Sequence, residues 1–332
     1  MHPPLALTAG RWLPVALGYP GWDKQLGDLV ARQEDDGGQE FDSFKLLGDL
    51  TTLPDAQLTP IGQDIKSMLM GGGNPESDIT WTRPALGSTL CNDVYAAFKS
   101  KSGRRNGFAR AAVRLGFHDA GAWSKEVASQ GGGADGSICI NDVEISQPEN
   151  NVLQTISHVK SYVGRNDNSF TNHFELLPSA ADNADHLIEL FKNKAILPHG
   201  LTALVGAHTS SQQIFFDTSR AGDPQDSTPG VWDVRFYNQT LFPQSAPKRV
   251  FMFPSDFSLS VHPNTHTEWV KFPTDQEDWN EDFAREYIRL SLLGVNNINN
   301  LTECTNVLPR ATRDLKCKAS DERLTDRVIS LS

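Results

Sequence analysis

Arg114 and His118 stand four residues apart in Arg114-Leu115-Gly116-Phe117-His118-Asp119, on what reads as the end of a helix begun near Gly107. That spacing puts both on one helical face, so a cation and a proton acceptor share one volume. Such a pair suits O–O bond cleavage. A neutral imidazole takes the proton from a bound peroxide and returns it to the leaving oxygen, while a fixed guanidinium stabilises the developing charge. On these two residues alone, an ordinary surface Arg/His pair at a helix end is the simpler account. His208 raises a similar choice. With Leu201, Leu204 and Val205 it follows i, i+3, i+4, i+7 on a helix opened by Pro198, which places it on the apolar stripe. A lone histidine there is more often a core residue bonded to backbone, yet an imidazole in an apolar wall is also what an axial haem ligand requires.

Two oxygen-rich stretches lie close to these histidines in sequence. Gly133-Ala134-Asp135-Gly136-Ser137 follows Asp119, and Asp226-Ser227-Thr228-Pro229-Gly230-Val231-Trp232-Asp233 follows Thr209. Each couples a residue beside a histidine with a loop of alternating carboxylate, hydroxyl and carbonyl oxygens. Hard oxygen ligands at irregular spacing suit calcium. Gly, Asp and Ser also make polar turns without any ion.

The elements that must position these residues read as mainly α. From Cys91 the apolar residues take helical spacing at Val94, Tyr95 and Phe98 and again at Ala111, Val113, Leu115 and Phe117. Further helices are expected near Leu153 to Tyr162, Ala184 to Lys194, Leu197 to Ser210 and Asp282 to Leu293, with few runs that read as strands. Residues 1–80 read as an N-terminal extension, partly irregular, with one short helix around Asp64 to Met70 and a linker-like Gly71-Gly72-Gly73-Asn74-Pro75. Residues 81–332 form the main domain.

The 332 residues carry 41 acidic against 30 basic side chains, a formal net charge of −11, which argues against nucleic acid as a partner. No apolar run approaches the ~18 residues that span a bilayer, so no membrane association is expected. Cys91, Cys139, Cys304 and Cys317 are dispersed and lack CxxC spacing, which suits disulfides. Sequons at Asn238-Gln-Thr240 and Asn300-Leu-Thr302 agree with secretion, although no clear signal peptide opens the chain.

Together these stretches resemble the fungal secreted haem peroxidases, the lignin- and manganese-peroxidase group of the plant-peroxidase superfamily. The distal motif R-x-x-F-H-D stands at Arg114 to Asp119 and the proximal A-H-[ST] at Ala207-His208-Thr209. The calcium motifs stand at Gly133, Asp135 and Ser137 and at Asp226 to Asp233. The resemblance implies haem b between a distal and a proximal helical half, with His208 on the iron and Phe117 and Asp256 also on the cofactor's side. Asp256 would accept the N–H of His208. Arg114 and His118 would split hydrogen peroxide, and Asn150 would hold the tautomer of His118. One Ca2+ would take Asp119, Gly133, Asp135 and Ser137, and a second Thr209, Asp226, Thr228, Val231 and Asp233. The implied activity reduces hydrogen peroxide while oxidising small phenolic or other aromatic donors by one-electron steps, in a monomeric extracellular protein. A Cys91–Cys304 disulfide is also implied.

The departures from the family are as informative. The interval from Asn150 to His208 is shorter than in the family, and a helix that normally precedes Val163-Gly164-Arg165-Asn166-Asp167 is missing. Two family disulfides are lost, Cys139 and Cys317 have no recognisable partners, and Gln225 replaces the aromatic before the calcium aspartate. Manganese-oxidising relatives carry carboxylates where this chain has Gly107, Ala111 and Ile214, and lignin-oxidising relatives carry a tryptophan where it has Ala203. These positions point to a generic low-potential member acting on phenols and dyes. Competing readings are a catalytically impaired haem-binding relative, a calcium-stabilised extracellular binding protein without catalysis, and an intracellular cytochrome c- or ascorbate-peroxidase relative.

Overall fold

The computed structural model describes residues 46–70, 72, 107–128, 132–134, 138 and 176–301. Its helices are α1 (Pro60–Leu69), α2 (Gly107–Ala120), α3 (Ala184–Lys192), α4 (Pro198–Val205), α5 (Arg235–Leu241), α6 (Pro254–Val261), α7 (Pro263–Lys271) and α8 (Gln276–Leu290). The fold is mainly α. Among the described residues the one β-type pairing is an isolated bridge between Gln212 and Pro224.

Local chemistry sets most of the boundaries. Thr59 caps α1, its side chain accepting from Gly62 N, and Asn183 and Asp275 do the same for α3 and α8 through His186 N and Asp278 N. Proline occupies the first turn of α1, α4, α6 and α7, where its missing N–H has no helical partner to lose. The expected helix near Asp64 to Met70 therefore starts earlier, at Pro60. The one expected from Asp282 starts at Gln276, because Asp275 supplies the cap.

Helix α4 is the centre of the packing, touching α3, α7 and α8. Trp269, Trp279, Tyr237, Phe236 and Phe272 are fully buried around it. Two of these rings bond as well as pack. Tyr237 Oη donates to Thr202 O at 2.7 Å and Trp279 Nε1 donates to Ala203 O at 3.0 Å. They bring side-chain donors to the carbonyls of the last turn of α4, where Gly206 N also donates to Ala203 O. A Cβ on Gly206 would collide with both the Tyr237 hydroxyl and the Trp279 indole nitrogen, so glycine is what lets these donors reach the helix end.

Residues 46–70, assigned from sequence to an extension, pack into this same core. Leu47, Leu50, Leu58, Ile65 and Leu69 are buried in one cluster with Leu290, Leu293 and Ile298. Asn299 Oδ1 accepts from Thr59 N at 2.8 Å, Thr59 Oγ1 donates to Asn299 O at 2.7 Å, and Arg289 Nη2 donates to Leu69 O at 3.0 Å. The physical reason is the amphipathic face of α1, which α8 and the 298–300 turn cover. The expected helix near 153–162 and all four cysteines lie outside the described residues, as does the shortened interval after Asn150 up to residue 175.

Candidate active site

His208 sits just beyond α4. The regular helix stops at Val205, and residues Gly206–Ser210 tighten into a 3-10 turn that carries the histidine. The spacing argument that extended one helical face through His208 thus holds in outline, with the last turn overwound. The imidazole is about one-third exposed, its side-chain relative accessibility 34%, while its partner Asp256 is at 1%. His208 Nδ1 lies 3.1 Å from Asp256 Oδ1 and 3.2 Å from Oδ2. A buried carboxylate on Nδ1 places the proton there, which leaves Nε2 as a lone-pair donor. Two phenylalanines fix the ring plane. Phe236 and Phe253 meet it edge to face at centroid distances of 5.6 and 5.8 Å. Sequence reasoning passed over both, although Phe253 stands only three residues before Asp256.

Next to His208 the oxygen-rich stretch closes on itself. Thr209 Oγ1 donates to Asp226 Oδ2 at 2.5 Å, and Thr228 Oγ1 donates to Asp233 Oδ2 at 2.9 Å. Thr228 N donates to Asp226 Oδ1 at 2.7 Å, and Val231 N to Thr228 O at 2.8 Å. Asp226 and Thr209 are fully buried. Burial, with the Asp233 charge adding, pushes the Asp226 carboxyl up to about 8, and burial raises Asp233 as well. Two carboxylates held together out of water are strained as a pair of anions, and a hard dication among these oxygens would relieve that strain. Among the described residues no group of three or more His, Cys, Asp or Glu side chains gathers at metal-binding distance. The oxygen group here has two carboxylates and two hydroxyls, a hard-ion set rather than a transition-metal one.

Gln225, where the resemblance leads one to expect an aromatic, is buried and accepts a hydrogen bond from Ser211 Oγ. Ser211 Oγ lies 2.9 Å from His208 O, so the polar side chain is absorbed into the 206–211 turn.

The other candidate cluster lies on α2. Arg114, Phe117, His118 and Asp119 are all partly buried on this helix. Phe117 stacks on Phe191 of α3 at 6.3 Å and meets His118 edge to face at 5.8 Å. Tyr287 Oη donates to Val113 O at 3.0 Å, and a Cβ on Gly116 would overlap that hydroxyl, so Gly116 allows α8 to approach α2 closely. The chain after α2 is tied to the end of α3. Lys194, fully buried and lowered to about 8 by burial, donates from Nζ to Trp123 O at 2.9 Å, and Lys125 N donates to Asn193 O at 2.9 Å.

In the first oxygen loop, Gly133 takes φ +100° and presses against Leu293 O, while Ala134 N donates to that same carbonyl at 2.8 Å. Ile138 N donates to Asp119 Oδ1 at 3.4 Å, so the loop returns to the aspartate. Asp135, Ser137 and Asn150 lie outside the described residues.

Residues 157–288 match the peroxidase family model. That interval contains His208, Asp256 and the buried oxygen group, and it ends before reaching back to α2. The chain is also similar to a peroxidase of Arthromyces ramosus, 25% identical over 254 residues that cover 61% of this chain and 70% of the relative. A low-redox potential peroxidase of Taiwanofungus camphoratus is 26% identical over 227 residues, 54% of this chain and 68% of the relative. Manganese peroxidase 3 of Phlebia radiata is 26% identical over 249 residues, covering 59% and 68% respectively. Among the described residues no helix is long and apolar enough to cross a membrane.

Proposed function

We propose that the protein is a haem-dependent peroxidase that reduces hydrogen peroxide with electrons from small phenolic or other aromatic donors. The observation that carries this reading is His208, with a buried carboxylate on Nδ1 and two aromatic edges holding its ring. Bound haem would supply the iron at which peroxide is reduced. His208 would ligate that iron through Nε2, Asp256 would strengthen it as a donor, and Phe236 and Phe253 would prevent the ring from turning. On α2, His118 would take the peroxide proton and return it to the leaving oxygen, while Arg114 would stabilise the charge that develops there. Asn150 would hold the tautomer of His118, and Phe117 would line the cofactor.

Calcium belongs to the same proposal. Asp226 and Asp233 with Thr209, Thr228 and Val231 would hold one ion. Asp119, Gly133, Asp135 and Ser137 would hold another, and both would brace histidine-bearing segments. For the donor, the alternatives of manganese and bulky non-phenolic aromatics are disfavoured by side chains. Ile214 offers no oxygen ligand, and Ala203 is completely buried in α4, where no surface tryptophan fits. An extracellular, monomeric protein completes the reading, with exposed Asn238 and Asn300 available as glycan acceptors.

The test is an optical spectrum of the purified full chain before and after hydrogen peroxide, followed by steady-state assays with a simple phenol and with Mn²⁺. A Soret band that changes with peroxide, together with phenol turnover, is expected. A colourless protein, or a haem band indifferent to peroxide, overturns the proposal, and saturable Mn²⁺ oxidation at micromolar concentration overturns the donor assignment.

A further inference from the structure

Tyr237 and Trp279 hold the C-terminal end of α4. Its N-terminal end is held by charge. His199, the second residue of α4, is mostly buried between carboxylates from two other helices. Its Nε2 lies 3.0 Å from Asp282 Oδ2 on α8 and its Nδ1 lies 3.6 Å from Glu268 Oε1 on α7. Glu268 is buried and Asp282 partly buried, and Phe272 covers the imidazole edge-on at 6.2 Å. An imidazole that faces a carboxylate with each nitrogen can donate to both only when doubly protonated. A helix N-terminus disfavours a cation by itself, so the two carboxylates must outweigh the helix dipole.

The surrounding charges reinforce the arrangement. On α7, Lys271 lies 3.7 Å from Glu268 and 2.9 Å from Asp278. On α8, Arg285 lies 4.0 Å from Asp282 and 3.7 Å from Glu281, and the buried Glu286, pressed against Gly200, pairs with Arg289 at 3.5 Å. The remaining histidine of α7, His266, is turned to Ser260 O. The titratable residues of the third neighbour, α3, namely Asp185, His186, Glu189 and Lys192, are all exposed to solvent.

We propose that His199 is a protonated clamp that joins α4 to α7 and α8, positions the N-terminal end of the helix leading to His208, and opens when the pH is raised. The proposal does not depend on haem or on the peroxidase reading. Burial alone would lower the His199 pKa, but the hydrogen bonds and charges of Asp282 and Glu268 outweigh it and raise it to about 9. Glu268 is lowered by its pairing with His199, so the two partners agree in direction. A folded-state pKa above the unfolded value of about 6.5 means that the clamp's stabilisation is complete below pH 6.5 and disappears as the pH rises through 9.

The decisive experiment titrates the histidine ring signals of the full chain by NMR and follows thermal unfolding from pH 6 to 10, for the wild type and for His199→Gln. Glutamine can still donate to the carboxylates but carries no charge. The wild type is expected to hold one ring signal that titrates near 9 and is missing from His199→Gln. Its stability advantage over the variant should shrink across that same range, by up to about two orders of magnitude in the unfolding equilibrium. Amide protection at Leu201 to Leu204 should fall with it. If His199→Gln does not fold, Asp282→Asn serves instead and should move the His199 midpoint downward by a unit or more. A His199 midpoint near 6.5, or a stability difference constant from pH 6 to 10, overturns the clamp. Titration near 9 with unchanged protection in α4 overturns its positioning role.

Discussion

The proximal and distal candidate clusters are held in place by different means. Around His208 the reactive ring is fixed by side chains that touch it, namely Asp256, Phe236 and Phe253. On α2 the helix is placed by Tyr287 on Val113 O, the gap at Gly116 and the Lys194 tie to Trp123 O, and Phe117 meets His118 edge to face. The tasks of the two sides would also differ. A metal ligand must keep one orientation through every step, and an acid–base residue must stand within hydrogen-bond reach of both peroxide oxygens. The peroxidase family match, residues 157–288, includes His208 and Asp256 and leaves out α2.

The comparison can be broken most directly at His208. His208→Ala is expected to abolish or grossly alter the haem absorption, and an unchanged Soret spectrum would remove the proximal assignment altogether. His118→Ala should retain that spectrum and react with peroxide ~10²–10⁴-fold more slowly, as loss of one acid–base residue typically does. Wild-type rates in rapid mixing would show that the α2 cluster is only a surface pair. Asp256→Asn should leave haem bound with activity reduced by roughly 10–100-fold, the usual effect of losing a ligand's carboxylate partner. If it matches the wild type in both spectrum and rate, Asp256 has no part in holding or tuning His208. Calcium sharpens the same contrast. Removing the ion with a chelator from protein held at about 100 times its Kd should cost about 2.7 kcal/mol, read as a lower melting temperature. Asp226→Ala should lose the share of that shift owed to the ion beside Thr209 and keep the share owed to the ion beside Asp119. Melting curves indifferent to chelator in the wild type would refute the ion.

Much of this was legible in the sequence because the signals were local. The helix of Arg114 and His118 and the oxygen-rich stretch after Thr209 followed from short spacings, whereas Asp256, 48 positions from His208, was implied only by the family resemblance. Helices α5, α6 and α7 were not read, since α5 follows a stretch rich in Gly, Pro and Asp, and α6 and α7 meet around Pro263, which interrupts the 3.6-residue period. The roles of Phe236 and His199 were also hidden, because what they touch comes from helices far along the chain. The packing of 46–70, read as part of an extension, was hidden for the same reason. Its short helix was seen, but the surface that buries it lies near residue 299.

That last pairing has a consequence for synthesis. Thr59 and Asn299 are separated by 240 positions. At roughly 5–20 residues per second, a ribosome adds that stretch in about ten to fifty seconds. Until then Leu47, Leu50, Leu58, Ile65 and Leu69 have no surface to bury them, although α1 has its cap and proline in place from the start. The beginning of the described chain therefore waits for its end, and the nascent protein spends that interval with an apolar helix exposed to chaperones or to a second copy of itself.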